Sequence, residues 1–123
     1  MLEFLVGARL VAADNAGFDI VTHNNKRYRF NFEEYEGDCC GYNTINSCLL
    51  IGDEIEQNPI ITKVRHTTDE DNYSQKCEIT FFGMSKPIYT AAIESSSGSG
   101  WCYGATVKLT CKEANFDEIL TSW

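Results

Sequence analysis

The chain has 123 residues, with 18 acidic against 10 basic side chains, six cysteines, two prolines and a hydrophobic share of 43%. That length and apolar content fit one compact domain over 1–123, burying roughly two-thirds of its unfolded surface, and exclude a disordered chain or a disulfide mini-scaffold. A net charge of -8 repels phosphate backbones and anionic lipid, so neither direct nucleic-acid binding nor membrane attachment is expected.

Leu2 to Gly7 has the pattern of one helical turn ended by glycine. Arg9 and Asp14 interrupt the apolar start, so no basic region precedes a continuous hydrophobic one, and the segment reads as mature protein rather than a signal. No window approaches the roughly 18 apolar residues that cross a bilayer. A strand is expected at Arg9 to Asp14. Next, Phe18, Ile20 and Thr22 alternate with Asp19, Val21 and His23, and Tyr28, Phe30 and Phe32 alternate with Arg27, Arg29, Asn31 and Glu33. Between them His23-Asn24-Asn25-Lys26 supplies asparagines that tolerate positive φ, which marks a hairpin turn.

Glu33-Glu34-Tyr35-Glu36-Gly37-Asp38-Cys39-Cys40-Gly41-Tyr42 combines four carboxylates, adjacent thiols and two glycines, and reads as a loop or sharp bend. Further strands are expected at Ile60 to Thr67, Lys76 to Phe82 and Pro87 to Glu94, the last two joined through Gly83-Met84-Ser85-Lys86. The polar run Thr67 to Gln75 reads as a solvated hairpin tip, although Asp69-Glu70-Asp71 offers hard oxygen ligands of the kind calcium takes. Ser95 to Gly100 reads as a flexible connector. Trp101 to Cys111 gives the clearest alternation in the chain, and Ala114 to Leu120 spaces Phe116, Ile119 and Leu120 as a short helix would.

The fold class is therefore mainly β: an antiparallel sheet of about seven strands curling into a sandwich or half-barrel, with one or two helical turns. A faint echo links the hairpin at residues 18–30 to the one at residues 77–91, each a strand, a turn and a tyrosine-bearing strand.

For chemistry, Cys39, Cys40 and Cys48 are one candidate set, since thiolates are favoured zinc ligands. Their spacing lacks the usual Cys-x2-Cys knuckle, and a vicinal disulfide is strained, so packing thiols are the simpler expectation. The even cysteine count would suggest three bridges in a secreted chain; without a signal, free thiols are expected. His23 and His66 are the only histidines, the first expected in a solvated turn and the second packed at a strand end. No Gly-x-Ser-x-Gly, His-Glu-x-x-His, phosphate loop or dinucleotide fingerprint occurs, so an enzyme is not expected and no cofactor is implied.

Two binding readings remain. Arg27 and Arg29 on one outward face, with Tyr28 or Tyr35 to stack, could hold a nucleotide-like anion, alone or at a homo-oligomer interface; cross-strand pairing with carboxylates is the simpler use of those arginines. Acidic residues also gather in patches, foremost Glu33, Glu34, Glu36 and Asp38, and carboxylates on a rigid β scaffold can occupy a positively charged groove.

Gly7-Ala8-Arg9-Leu10-Val11, Tyr28-Arg29-Phe30, Gly37-Asp38-Cys39-Cys40 and Leu50-Ile51-Gly52-Asp53 together resemble a family of small uncharacterised proteins encoded mainly by tailed phages, over roughly residues 2 to 111. The resemblance implies a phage setting and no activity or catalytic residue. In that setting the expectation is a non-enzymatic accessory protein, in the cytoplasm of an infected bacterium. It would antagonise a host defence protein with a basic surface through its acidic patches, or sequester a nucleotide signal.

Overall fold

The computed structural model describes residues 2–36, 42–49, 59–71, 74–84, 86–96 and 105–122. A 3-10 turn, Glu3–Leu5, is followed by β1 (Arg9–Asp14), β2 (Gly17–Val21), β3 (Arg27–Glu36), β4 (Tyr42–Leu49), β5 (Lys63–Glu70), β6 (Ser74–Gly83), β7 (Lys86–Ser96), β8 (Ala105–Cys111) and β9 (Phe116–Ser122). The strands form two wholly antiparallel sheets, β1-β2-β3-β8-β9 and β4-β7-β6-β5, and no closed barrel. The mainly β expectation holds in its sandwich form, with nine strands among the described residues rather than about seven.

The core lies between the sheets and is built from the period-two faces. In β8, Ala105, Val107, Leu109 and Cys111 are all buried. The two hairpins that echo each other in sequence, β2–β3 and β6–β7, come from opposite sheets and meet at the centre. Phe18 stacks on its cross-strand partner Phe30 at 5.2 Å and contacts Phe81 edge-on at 5.0 Å and Tyr89 at 5.8 Å. Burying each such ring stabilises the fold by about 1.5–3 kcal/mol, and offset or edge-on pairing adds about 0.5–1.5 kcal/mol.

Turn chemistry agrees with the residues. Asn25 takes φ 63 in the β2–β3 turn, where Thr22 N–H donates to the Lys26 carbonyl. Gly7, at φ 96, ends the 3-10 turn as expected, and its N–H donates to the Ile61 carbonyl. That bond, with Ile61 N–H to the Ala8 carbonyl, stitches the start of the chain to the segment before β5.

Four expectations are corrected. Residues 116–122 are a strand, not a helix, because they pair with β8 through a bulge between Val107 and Lys108. Glu33 to Glu36 do not form a loop; they continue β3, held by Lys108, Val107, Thr106 and Ala105 of β8. Asp69 and Glu70 belong to β5 rather than a hairpin tip, whereas Ile60 makes only a bridge to Arg9. Ser95 and Ser96 end β7 and are buried, so the connector does not begin there. β4 was not expected at all. Among the described residues no helix is long and apolar enough to cross a membrane.

Candidate binding surface

Strand β3 positions most of the candidate residues, and its pleat sorts them onto two sides. Phe30 and Phe32 point into the core, and Glu34 and Glu36 follow on the same side where the strand runs past it, both exposed. Arg27, Arg29, Asn31, Glu33 and Tyr35 occupy the outer side. The acidic run is therefore split. Tyr35 Oη donates to Glu33 Oε2 at 3.1 Å, and Lys108, directly across from Glu33, lies 5.7 Å from the Tyr35 ring centre and 3.6 Å from Asp117 Oδ1. Glu33 thus sits in an outer cluster with one cation, Lys108, which is paired with Asp117. Across from Glu34 and Glu36 stand Val107 and Ala105, and among the described residues no ion pair reaches either carboxylate. Among the described residues Glu36 Oε1 accepts one hydrogen bond, from the Asn43 N–H, at 3.1 Å. Asp38 lies outside the described residues.

Arg27 and Arg29 are committed to carboxylates, the simpler of the two uses weighed for them. Arg27 Nε donates to Asp19 Oδ2 at 3.0 Å; Arg29 donates through Nη1 to Asp19 Oδ1 at 3.0 Å and through Nη2 to Asp14 Oδ1 at 2.9 Å. Asp14 Oδ1 also accepts from Ala16 N at 2.8 Å and Gly17 N at 3.0 Å, and the Arg29 hydrogen bond holds the Asp14 carboxyl below the usual range. An anion binding here would have to compete with two carboxylates.

Tyr28 lies on the opposite side of β3, half-buried against the core, with Lys26 Nζ 5.4 Å from its ring centre. It lines a hollow of about 430 Å³ with Phe4, Val6, Thr22, His23 and Asn24. Tyr35 stands six residues from Arg29, roughly 20 Å along an extended strand. The structure therefore does not bring Arg27, Arg29, Tyr28 and Tyr35 together.

Cys48 is exposed on β4, while Cys39 and Cys40 lie outside the described residues. Among the described residues no three His, Cys, Asp or Glu side chains are grouped to hold a metal ion. One thiol contact escaped the sequence reading: His66 Nε2 and Cys77 Sγ are 3.0 Å apart on the inner face of β5 and β6. Burial pushes the Cys77 thiol up to about 12 and lowers the His66 pKa, so the proton stays on sulfur and the pair is neutral, not a thiolate beside an imidazolium. Only the strand register, which sets Cys77 opposite Thr68, reveals the pairing.

A second hollow, about 420 Å³, lies on the outer face of the four-stranded sheet. It forms because Ala92 is small in the row Asn46, Ala92, Glu78, Thr67, and it is rimmed by Lys76 and Glu94, 3.8 Å apart. The period-two pattern gave β5, β6 and β7 but neither β4 nor the order of the strands, so this surface could not be read beforehand.

Comparison with protein families matches residues 3–109 to a domain of unknown function, DUF7448. The chain belongs to the DUF7448 family. No curated protein and no solved structure matches it. The DUF7448 match takes in all the candidate residues above and ends within β8, so β9, which completes the five-stranded sheet, lies beyond it.

Proposed function

We propose that the chain is a non-enzymatic binding protein that docks a basic surface of another protein through the exposed carboxylates of β3. In the phage setting implied by the resemblance above, that partner is a host defence factor. The observation that carries the reading is Glu34 and Glu36, projecting from a packed strand with Val107 and Ala105, rather than cations, across from them. Elsewhere five of the ten basic side chains, Arg27, Arg29, Arg65, Lys76 and Lys108, lie within 4.0 Å of a carboxylate. The carboxylates of β3 are part of the net charge of -8 whose field steers a basic partner, and such steering weakens with salt. Retention from host lysate should fall steeply between low and high salt, and Glu34→Lys with Glu36→Lys should slow association with the retained protein at least tenfold. Unchanged association would refute the reading.

A second reading is favoured by the hollow at Tyr28: a nucleotide stacked on that ring, with Lys26 and His23 rather than Arg27 and Arg29 facing its phosphate. A ligand that binds only the folded chain raises its melting temperature. Cyclic nucleotides should then stabilise the wild type and not Tyr28→Ala; absence of any shift discards this reading.

A further inference from the structure

The two sheets end in four edge strands, β1, β9, β4 and β5, and an edge offers a row of backbone N–H and C=O groups to another chain. Three of these edges are ill-suited to that use. β1 is bulged between Leu10 and Ala12, and at its start Leu10 N–H donates to the Pro59 carbonyl. β4 is tied to the other sheet, Ser47 donating to the Asp14 carbonyl and Asn43 to the carbonyls of Tyr35 and Thr106. β9 carries Asp117 and Glu118 and no cation, so a strand of its own kind would meet like charge.

β5 differs in both backbone and charge. At the hairpin end Asp71 N–H donates to the Ser74 carbonyl. Bonded and non-bonded pairs alternate along an antiparallel ladder, so Lys63, Arg65, Thr67 and Asp69 turn their backbone groups toward β6, and Val64, His66, Thr68 and Glu70 turn theirs outward. Among the described residues no backbone group of another segment bonds to that outward row, and the Glu70 N–H turns instead to Asp69 Oδ1, at 2.9 Å. On the solvent face the charges are sorted by end: Lys63 and Arg65 come first, Asp69 and Asp71 last, with Thr67 midway. Lys63 and Arg65 both lie over the Phe82 ring, 5.5 and 5.4 Å from its centre, which holds the two cations on that face.

We propose that two copies of the chain associate about a two-fold axis by antiparallel pairing of β5 with β5, centred on Thr67. Arg65 then faces Asp69 of the second copy and Lys63 faces its Asp71, each pair occurring twice by symmetry, while the outward backbone groups of Val64 meet those of Glu70 and those of His66 meet those of Thr68. Symmetry limits the choices, because a reciprocal pairing in an alternating ladder must set one residue against itself. Centring on His66 would set Arg65 against Thr67, and centring on Thr68 would set Asp69 against Thr67; Thr67 alone of the three gives both cations a carboxylate. Charge of one sign on an edge repels any strand, whereas charge sorted by end repels a parallel copy and attracts an antiparallel one. Residues 63–71 extend about 30 Å, and contact along one strand is smaller than the about 1,200–2,000 Å² of stable complexes, so the dimer is reversible, with a micromolar Kd.

The test is sedimentation velocity from about 1 μM to about 1 mM with reductant present, at about 0.15 M salt, where the long-range repulsion between two copies of charge -8 is screened. The chain should pass from monomer to dimer across that range. Arg65→Glu and Asp69→Arg should each weaken self-association at least tenfold, since like charges then face each other. An equal mixture of the two variants should restore it, because opposite charges face again, and misfolded chains could not do so. Without reductant, Thr67→Cys should join two copies through position 67, since a self-facing non-bonded pair has its Cα atoms about 4.5 Å apart, within disulfide reach. Thr68→Cys, whose two copies do not face each other, should not. The proposal is overturned by a monomer at 1 mM, by unchanged association of the two charge variants, by a mixture that stays monomeric, or by a crosslink through position 68 instead of 67. Glu34→Lys with Glu36→Lys should leave this association unchanged, which separates it from the docking of a basic protein on β3.

Discussion

Gly17 begins β2 at φ 156 and lies against β3. A methyl group there would stand 1.9 Å from the Phe30 carbonyl oxygen and 2.9 Å from its carbon, both backbone atoms that cannot rotate away. Relief would require breaking the pairing of Gly17 with Asn31 or the bond from Gly17 N to Asp14 Oδ1. Gly17→Ala thus adds a forced shift of packed backbone, about 1–3 kcal/mol or more, to a backbone conformation costing about 1–3 kcal/mol, and is expected to destabilise by about 3–5 kcal/mol. Gly7→Ala is the control, because φ 96 carries backbone strain with no atom within 4 Å of the added methyl; it should cost about 1–2 kcal/mol. In urea, with m near ~2 kcal/mol/M for a chain of this size, the midpoint by circular dichroism should fall by roughly 1.5–2.5 M for Gly17→Ala and under about 1 M for Gly7→Ala. If the two variants lose the same amount, the close approach of β2 to β3 is not the constraint described.

Asp19 is 13% exposed and joins both arginines, so Asp19→Asn should cost about 1–2 kcal/mol in the same assay, the low end reflecting the 60% exposure of Arg27. Stability should decline on acidification in two windows. Burial lowers His66 in the folded chain, so the unfolded chain takes up that proton first, and its contribution is full above about 6.5 and lost as pH falls below that value. The Asp14 carboxyl, lowered chiefly by its hydrogen bond from Arg29, contributes above 3.8 and loses that contribution as pH falls further. His66→Gln should flatten the first window of a pH series of urea midpoints and leave the second. With its thiol near 12, Cys77 is thiolate in only about one molecule in ten thousand at pH 8. Peptide mapping after alkylation should find Cys77 and Cys111 unlabelled until denaturant is added and Cys48 labelled at once; rapid labelling of folded Cys77 would contradict its burial.

How much was legible in the sequence depended on whether each strand kept a clean period of two. β8 did, and β2 and β3 did up to Phe32. β9 did not: the bulge opposite Val107 and Lys108 buries Leu120 and Thr121 in succession, and the resulting Phe116, Ile119 and Leu120 spacing imitates a helix. β4 was missed because it is an edge strand rich in asparagine, serine and threonine whose Tyr42, Ile45 and Cys48 fall three residues apart, so no period of two shows; among its described side chains Ile45 packs against the core. The acidic run was found, but its division between two faces depended on β3 continuing through Glu36. Tyr89 was seen only as part of a hairpin, since the packing of its ring on Phe18 and Phe81 is a property of the assembled sheets and leaves no trace in spacing.

Asn43 ties four strands together. Its Nδ2 donates to the carbonyls of Tyr35 and Thr106, its N–H to Glu36, and its Oδ1 accepts from the buried Ser95, whose Oγ is also 2.7 Å from Thr121 Oγ1. The end of β3 that bears Glu34 and Glu36 is consequently clamped rather than frayed, and the backbone beneath the two charges keeps one fixed spacing. A partner meeting such a preset comb gives up little conformational freedom on the comb's side, so selectivity can rest on matching distances instead of on total charge.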